Sequence, residues 1–256
     1  MLSLWPEELA GGRYLPLVIP FGISAALAIF LGWLYGKLFE ALPFRALGCS
    51  FRGNWFGHFA VGCLVGALAL TSAIILAAMA GGLSLTVNHE SATSAISTTL
   101  LTTIPIFAVG ALSEETLFRG YLLQTFTRSK LAAVGIGGTS ALFAFAHAGN
   151  PDVTNIALAN TFLAGIWFAF AYLKTRDLWF PLGMHLMWNW LQGPVFGITV
   201  SGIGELSPDP VLRATDTGPA WLTGGSYGIE GGVACTFALI LSMALIYWLP
   251  KAEPPA

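Results

Sequence analysis

Residues 97–126 read STTLLTTIPIFAVGALSEETLFRGYLLQTF. A hydrocarbon core is about 30 Å thick, and a helix crosses it with about 20 predominantly apolar residues. This run is longer than that, yet its middle holds Ser113-Glu114-Glu115-Thr116-Leu117-Phe118-Arg119. A charge at the bilayer centre costs at least about 2.5–3.5 kcal/mol on the insertion scale, so residues that incur this cost are functional candidates by default. The stretch thus points to a helical membrane protein and, within it, to a place for chemistry.

The remaining composition agrees. Of 256 residues, 55% are hydrophobic and 9% charged, with a mean hydropathy of +0.73. An ordinary soluble domain has about 25% charged residues, and a disordered chain is poor in apolar ones. The net charge is −2 with no basic stripe, which excludes nucleic acid as a partner. Cys49, Cys63 and Cys235 lie scattered, without disulfide or metal spacing. A β-barrel would show alternating segments of about ten residues; this chain shows long unbroken apolar runs instead. The acidic start (Glu7, Glu8) and the long first run do not fit a signal peptide.

The expected fold class is all-α: a polytopic transmembrane helical bundle of about seven spans, in one integral membrane domain over residues 1–256. The spans are expected near Tyr14–Gly36, Phe56–Leu76, Ser97–Phe126, Leu131–Ala148, Asn155–Leu173, Leu178–Thr199 and Gly231–Leu249. With that count, Lys37, Arg45, Arg52, Arg128, Lys130, Lys174, Arg176 and Lys251 fall on one side, and only Arg13 and Arg213 on the other. Cytoplasmic loops carry the Lys and Arg excess, so the C-terminus is expected in the cytoplasm and the acidic stretch Glu205–Glu230 outside it. Trp5, Trp55, Trp179 and Trp248 read as an interfacial belt. Gly135, Gly137, Gly138 and Gly165 read as close-packing positions between helices.

Three places inside the spans carry unusual polarity. In the first, Glu115 and Arg119 are four apart on a helix and share a face, so they can pair. Glu114 lies about 100° around the helix, away from that arginine, which leaves it available as a base. Alternatively, all three form a buried stabilising cluster. The second is His147, at the end of the fourth run, where a helix C-terminus could simply hold a cation. The third is His185 with Asn189, four apart on one face, which could equally be an interhelical hydrogen-bonding pair. Pro181 is expected in the first turn of that helix, where its missing N–H costs nothing.

Carboxylate and imidazole suit proton abstraction from water near neutral pH, and His and Asn can supply preorganised donors to an oxyanion. The same set could hold zinc. Glu114-Glu115-x-x-x-Arg119, Phe143-x-x-x-His147 and His185-x-x-x-Asn189, in this order, resemble the three motifs of the CPBP (CAAX protease and bacteriocin-processing, or Abi) intramembrane proteases. The resemblance covers about Leu101–Leu191, which makes about 101–191 the expected catalytic core. It implies a glutamate-type intramembrane endopeptidase, earlier described as metallo-type, in the bacterial cytoplasmic membrane. Glu114 with His147 would activate water, His185 and Asn189 would form the oxyanion site, and Glu115 and Arg119 would hold helix geometry. The implied partners are the lipid bilayer and a membrane-associated protein or peptide substrate, prenylated in some members.

No cofactor is expected. The H-E-x-x-H arrangement of zinc proteases is absent, and Asn189 is a better hydrogen-bond donor than zinc ligand. If zinc is present, its ligands are Glu114, His147 and His185. Two other functions stay open: a proton-coupled transporter using the same carboxylates and imidazoles as a relay, and a catalytically silent immunity or scaffold protein. Transporters usually show repeats, and none is visible here.

Overall fold

The computed structural model describes residues 15–51 and 53–249. The expected start at Tyr14, together with Trp5, Arg13, Arg52 and Lys251, lies outside the described residues.

The protein is an all-α membrane bundle. The helices are α1 (Leu15–Glu40), α2 (Trp55–Met79), α3 (Thr93–Glu115), α4 (Leu123–Arg128), α5 (Ala132–Ala146), α6 (Asn155–Thr175), α7 (Trp179–Trp190), the short α8 (Ala220–Thr223) and α9 (Val233–Trp248). Four stretches are long and apolar enough to cross a membrane: Val18–Glu40, Trp55–Met79, Thr93–Arg128 and Asn155–Thr175. Ala132–Ala146 and Val233–Trp248 are apolar but shorter. Each expected apolar run thus corresponds to a helix or to a helix with its extension.

Helix ends follow local chemistry. Thr154 caps α6 by accepting from the Ala157 N–H at 3.1 Å, which satisfies one of the unpaired N–H groups of the first turn. Asp177 Oδ1 does the same for α7, accepting from the N–H of Trp179 (3.0 Å) and Phe180 (3.4 Å). Pro181 sits in the first turn of α7, as its missing N–H favours.

Helix α2 packs most extensively on α7. A Cβ at Gly62 or Gly66 would collide with the carbonyl oxygens of Phe180 and Met184. In lipid no hydrophobic force drives helices together, so this close backbone approach, which glycine permits, supplies the packing. Gly165 lies in the same way against Ser140, and Gly135 against Phe126. Gly137 and Gly138 face open space, so the packing expectation fails for those two.

The chain ends of the bundle sort the charges. At one end Arg128 pairs with Glu40 (2.6 Å), Gln124 Nε2 donates to the Leu47 carbonyl (2.8 Å) and Lys174 Nζ donates to the Tyr247 carbonyl (2.8 Å). Lys37, Arg45 and Arg176 belong to the same helix ends and loops. At the other end the loops between α2 and α3 and between α7 and α9 meet. There β1 (Leu83–Val87) pairs antiparallel with β2 (Leu212–Asp216), Leu83 opposite Asp216 and Val87 opposite Leu212. This small sheet is an addition to the expected all-helical reading.

Candidate active site

Helix α3 does not continue regularly past its glutamates. Residues Thr116–Leu122 form a π-helical turn, and Gly120 leaves helical geometry with ψ −124°. Such turns recur at functional sites in helical proteins. The Glu115–Arg119 pair survives it: Arg119 Nη1 donates to Glu115 Oε1 at 3.1 Å, with both side chains essentially without solvent contact.

Arg119 is held through both terminal nitrogens. Its Nη2 donates to the Gly165 carbonyl at 3.2 Å. Its guanidinium stacks over Phe143 and Phe168, 4.5 and 4.9 Å from the ring centroids, where the negative ring faces attract a cation. A buried charge needs such partners, because its desolvation is worth several kcal/mol (on the order of 3–5 when one partner is lost).

Glu115 also reaches α7. His185 Nδ1–H donates to Glu115 Oε1 at 2.9 Å, and Phe168 stacks on the imidazole at 4.7 Å between centroids. The other ring nitrogen, Nε2, faces Glu114 Oε2 at 3.6 Å. That separation is too long for a direct hydrogen bond and suits a bridging group between them. Glu115 is thus committed to Arg119 and His185, whereas Glu114 is partly exposed and lines a cavity.

The cavity measures about 480 Å³ and is mostly apolar. Glu114, His147, His185 and Asn189 all line it. His147 follows the last residue of α5, and its Nδ1–H donates to the Phe143 carbonyl at 2.8 Å. A carbonyl can only accept, so in the neutral ring Nε2 carries the free lone pair. His147 makes no direct hydrogen bond to Glu114; the two share the cavity. The 15 residues of α5 span about 22 Å, less than the core thickness, so its end does not reach the far surface without help from the loop. Phe143 joins the two imidazoles, its ring centroid 4.7 Å from His147 and 6.3 Å from His185.

Other lining residues escape a reading of motifs. Trp188 lines the cavity, while Trp190 Nε1 donates to the Leu100 carbonyl at 3.1 Å and acts as packing. Asn160, Asn150, Ser201 and Glu230 add a polar wall beside His147. Asn160 was detectable as an amide inside an apolar run. Glu230 lies in a stretch expected to be an outside loop, but its side chain turns inward. Burial pushes its carboxyl above the ordinary carboxylate value, opposed by hydrogen bonds from Ser201.

Among the described residues, no three His, Cys, Asp or Glu side chains converge as a metal-ligand set.

Residues 96–191 match the family model described as type II CAAX prenyl endopeptidase Rce1-like. An Escherichia coli protein described as "Uncharacterized 24.3 kDa protein" is 34% identical over 89 residues, which cover 34% of this chain and 40% of that protein. The chain therefore spans less than half the length of this relative. No solved structure matches. The matched segment runs from within α3 to Leu191, just past α7, and includes Glu114, Glu115, Arg119, His147, His185 and Asn189, so the likeness to the Rce1-like model covers the candidate site.

Proposed function

We propose that this protein is an intramembrane endopeptidase that hydrolyses a peptide bond with water activated by Glu114. The observation that carries the reading is the unequal use of two adjacent carboxylates. Glu115 is engaged through Oε1 by both Arg119 and His185, whereas Glu114 opens on the cavity. A general base must lie within hydrogen-bond reach of the proton it takes, directly or through one water, and exposure to the cavity supports Glu114 in that role.

In this mechanism a water in the cavity gives one proton to Glu114 as its oxygen bonds to the scissile carbonyl carbon, while the free Nε2 of His147 accepts a hydrogen bond from its other O–H. Attack on the scissile carbonyl develops a negative oxygen. Asn189 Nδ2 and a proton on His185 Nε2 donate to it, in apolar surroundings where such donors are worth more than in water. Glu115 fixes the His185 ring through Nδ1, and Arg119 fixes Glu115. Glu114 then returns its proton to the leaving amine. No metal enters these steps.

The substrate class proposed is a membrane-associated peptide that carries an apolar or prenyl group, consistent with the apolar cavity and with the family description. The Glu114–His185–Glu115 line would also serve the relay of a proton-coupled transporter. One experiment separates the readings: purified protein in detergent, given an internally quenched peptide ending in a farnesylated CAAX sequence. Cleavage by the wild type and none by Glu114→Gln supports the protease. Proton flux in liposomes that depends on Glu114, without cleavage, supports the transporter.

A further inference from the structure

Glu230 stands beyond the Rce1-like segment, in the turn that leads into α9. Its Oε2 accepts twice from Ser201, from the backbone N–H at 2.6 Å and from Oγ–H at 2.9 Å. Ser201 has φ +49°, the left-handed region that a residue with a Cβ avoids unless its surroundings hold it there. The Ser201 carbonyl accepts from Asn150 Nδ2 at 3.0 Å. The Asn150 backbone N–H in turn donates to the His147 carbonyl at 3.1 Å. An unbroken line of hydrogen bonds therefore runs from the Glu230 carboxylate to the main chain of His147.

The anchor of this line is itself fixed. Asn160 Nδ2, from α6, donates to the carbonyls of Glu230 and Gly232 at 2.8 Å each, and Thr236 Oγ1 holds the Asn160 amide at 2.6 Å. His147 is the C-cap of α5, its N–H donating to the Ala144 carbonyl at 3.1 Å, and the turn beyond it is tied down through Asn150. The ring's only direct hydrogen bond among the described residues is to the Phe143 carbonyl. Glu230, Ser201, Asn150 and His147 line the same cavity.

We infer that Glu230 is a positioning residue for the hydrolysis: by clamping Ser201 in its strained conformation it holds the Asn150 turn and keeps the His147 imidazole aimed into the cavity. The inference rests on the proposed protease reading, because it presumes that His147 works there. Glu230 acts through acceptor oxygens rather than through charge. The amide oxygen of Gln accepts the same two Ser201 bonds, while Ala accepts neither.

The test measures kcat and KM of the full chain in detergent on the farnesylated quenched peptide, normalised to folded protein, for Glu230→Ala, Glu230→Gln and Glu114→Gln. Misplacing a reacting group by about 1 Å costs on the order of 100-fold, so Glu230→Ala is expected to lower kcat roughly 10- to 100-fold with KM little changed. Glu230→Gln is expected to restore most of it. Wild-type kcat in Glu230→Ala, a loss explained wholly by unfolded protein, or a Gln variant as slow as Ala would each overturn the clamp. Hydrogen–deuterium exchange gives a reading independent of cleavage. Glu230→Ala should speed exchange at Asn150 and Ser201 while α6 stays protected, and unchanged exchange there overturns the proposal even if the peptide is not cleaved. An active Glu114→Gln with the predicted exchange change would sink the base assignment and leave the clamp standing.

Discussion

Glu115 and His185 meet across two helices, His185 Nδ1 donating to Glu115 Oε1 at 2.9 Å, on the same oxygen that accepts from Arg119 at 3.1 Å. One carboxylate oxygen thus ties α7 to the π-helical turn after α3. Replacing Glu115 by Gln removes the negative charge that faces the buried Arg119 guanidinium and accepts from His185. Leaving a buried charge unpaired costs about 3–5 kcal/mol. Glu115→Gln should therefore lower the thermal unfolding midpoint in detergent markedly, together with expression. A midpoint equal to the wild type would show that Arg119 finds sufficient support in Gly165 and the aromatic rings alone.

The pairing of Glu115 with Arg119 was legible from their spacing, because helical periodicity puts residues four apart on one face. The Glu115–His185 bond was not, since it depends on how α7 docks, and that is decided by the small residues Gly62, Gly66 and Gly183 along the α2–α7 seam. The apolar runs located the helices to within a few residues, because lipid tolerates little else. They did not reveal β1 pairing with β2: the two short segments are far apart in sequence and lie outside the spans. Nor did they separate Gly135 and Gly165, which face neighbours, from Gly137 and Gly138, which do not. Glu230 reads as one more acid in a loop, and only the fold of Ser201 beneath it brings it to the cavity.

Metal-free hydrolysis predicts insensitivity to chelation. Activity on the farnesylated peptide should survive exhaustive treatment with a zinc-selective chelator, with metal content measured in parallel. Loss that returns on adding stoichiometric zinc would move Glu114, His147 and His185 into the ligand role.

The ends that carry Lys37, Arg45, Arg128, Lys130, Lys174 and Arg176 gather on one side of the bundle, and α9 also ends there through the Lys174–Tyr247 contact. The excess of basic residues predicts that this side faces the cytoplasm. A fluorescent reporter that matures only in the cytoplasm, fused after residue 256, should be bright. A reporter active only outside the membrane would reverse the orientation and place the Glu230 loop inside.

The central claim is that Glu114 is the base and that Glu115 is not. Glu114→Gln keeps the shape of the side chain and removes its ability to take a proton, and Glu114 touches neither Arg119 nor the buried hydrogen bonds of the bundle. General-base catalysis contributes typically about 10²- to 10⁴-fold. The decisive measurement is kcat of purified Glu114→Gln on the farnesylated quenched peptide, beside its thermal midpoint. The account predicts a fall in kcat of at least about 100-fold with an unchanged midpoint; full activity in a well-folded Glu114→Gln protein would contradict it.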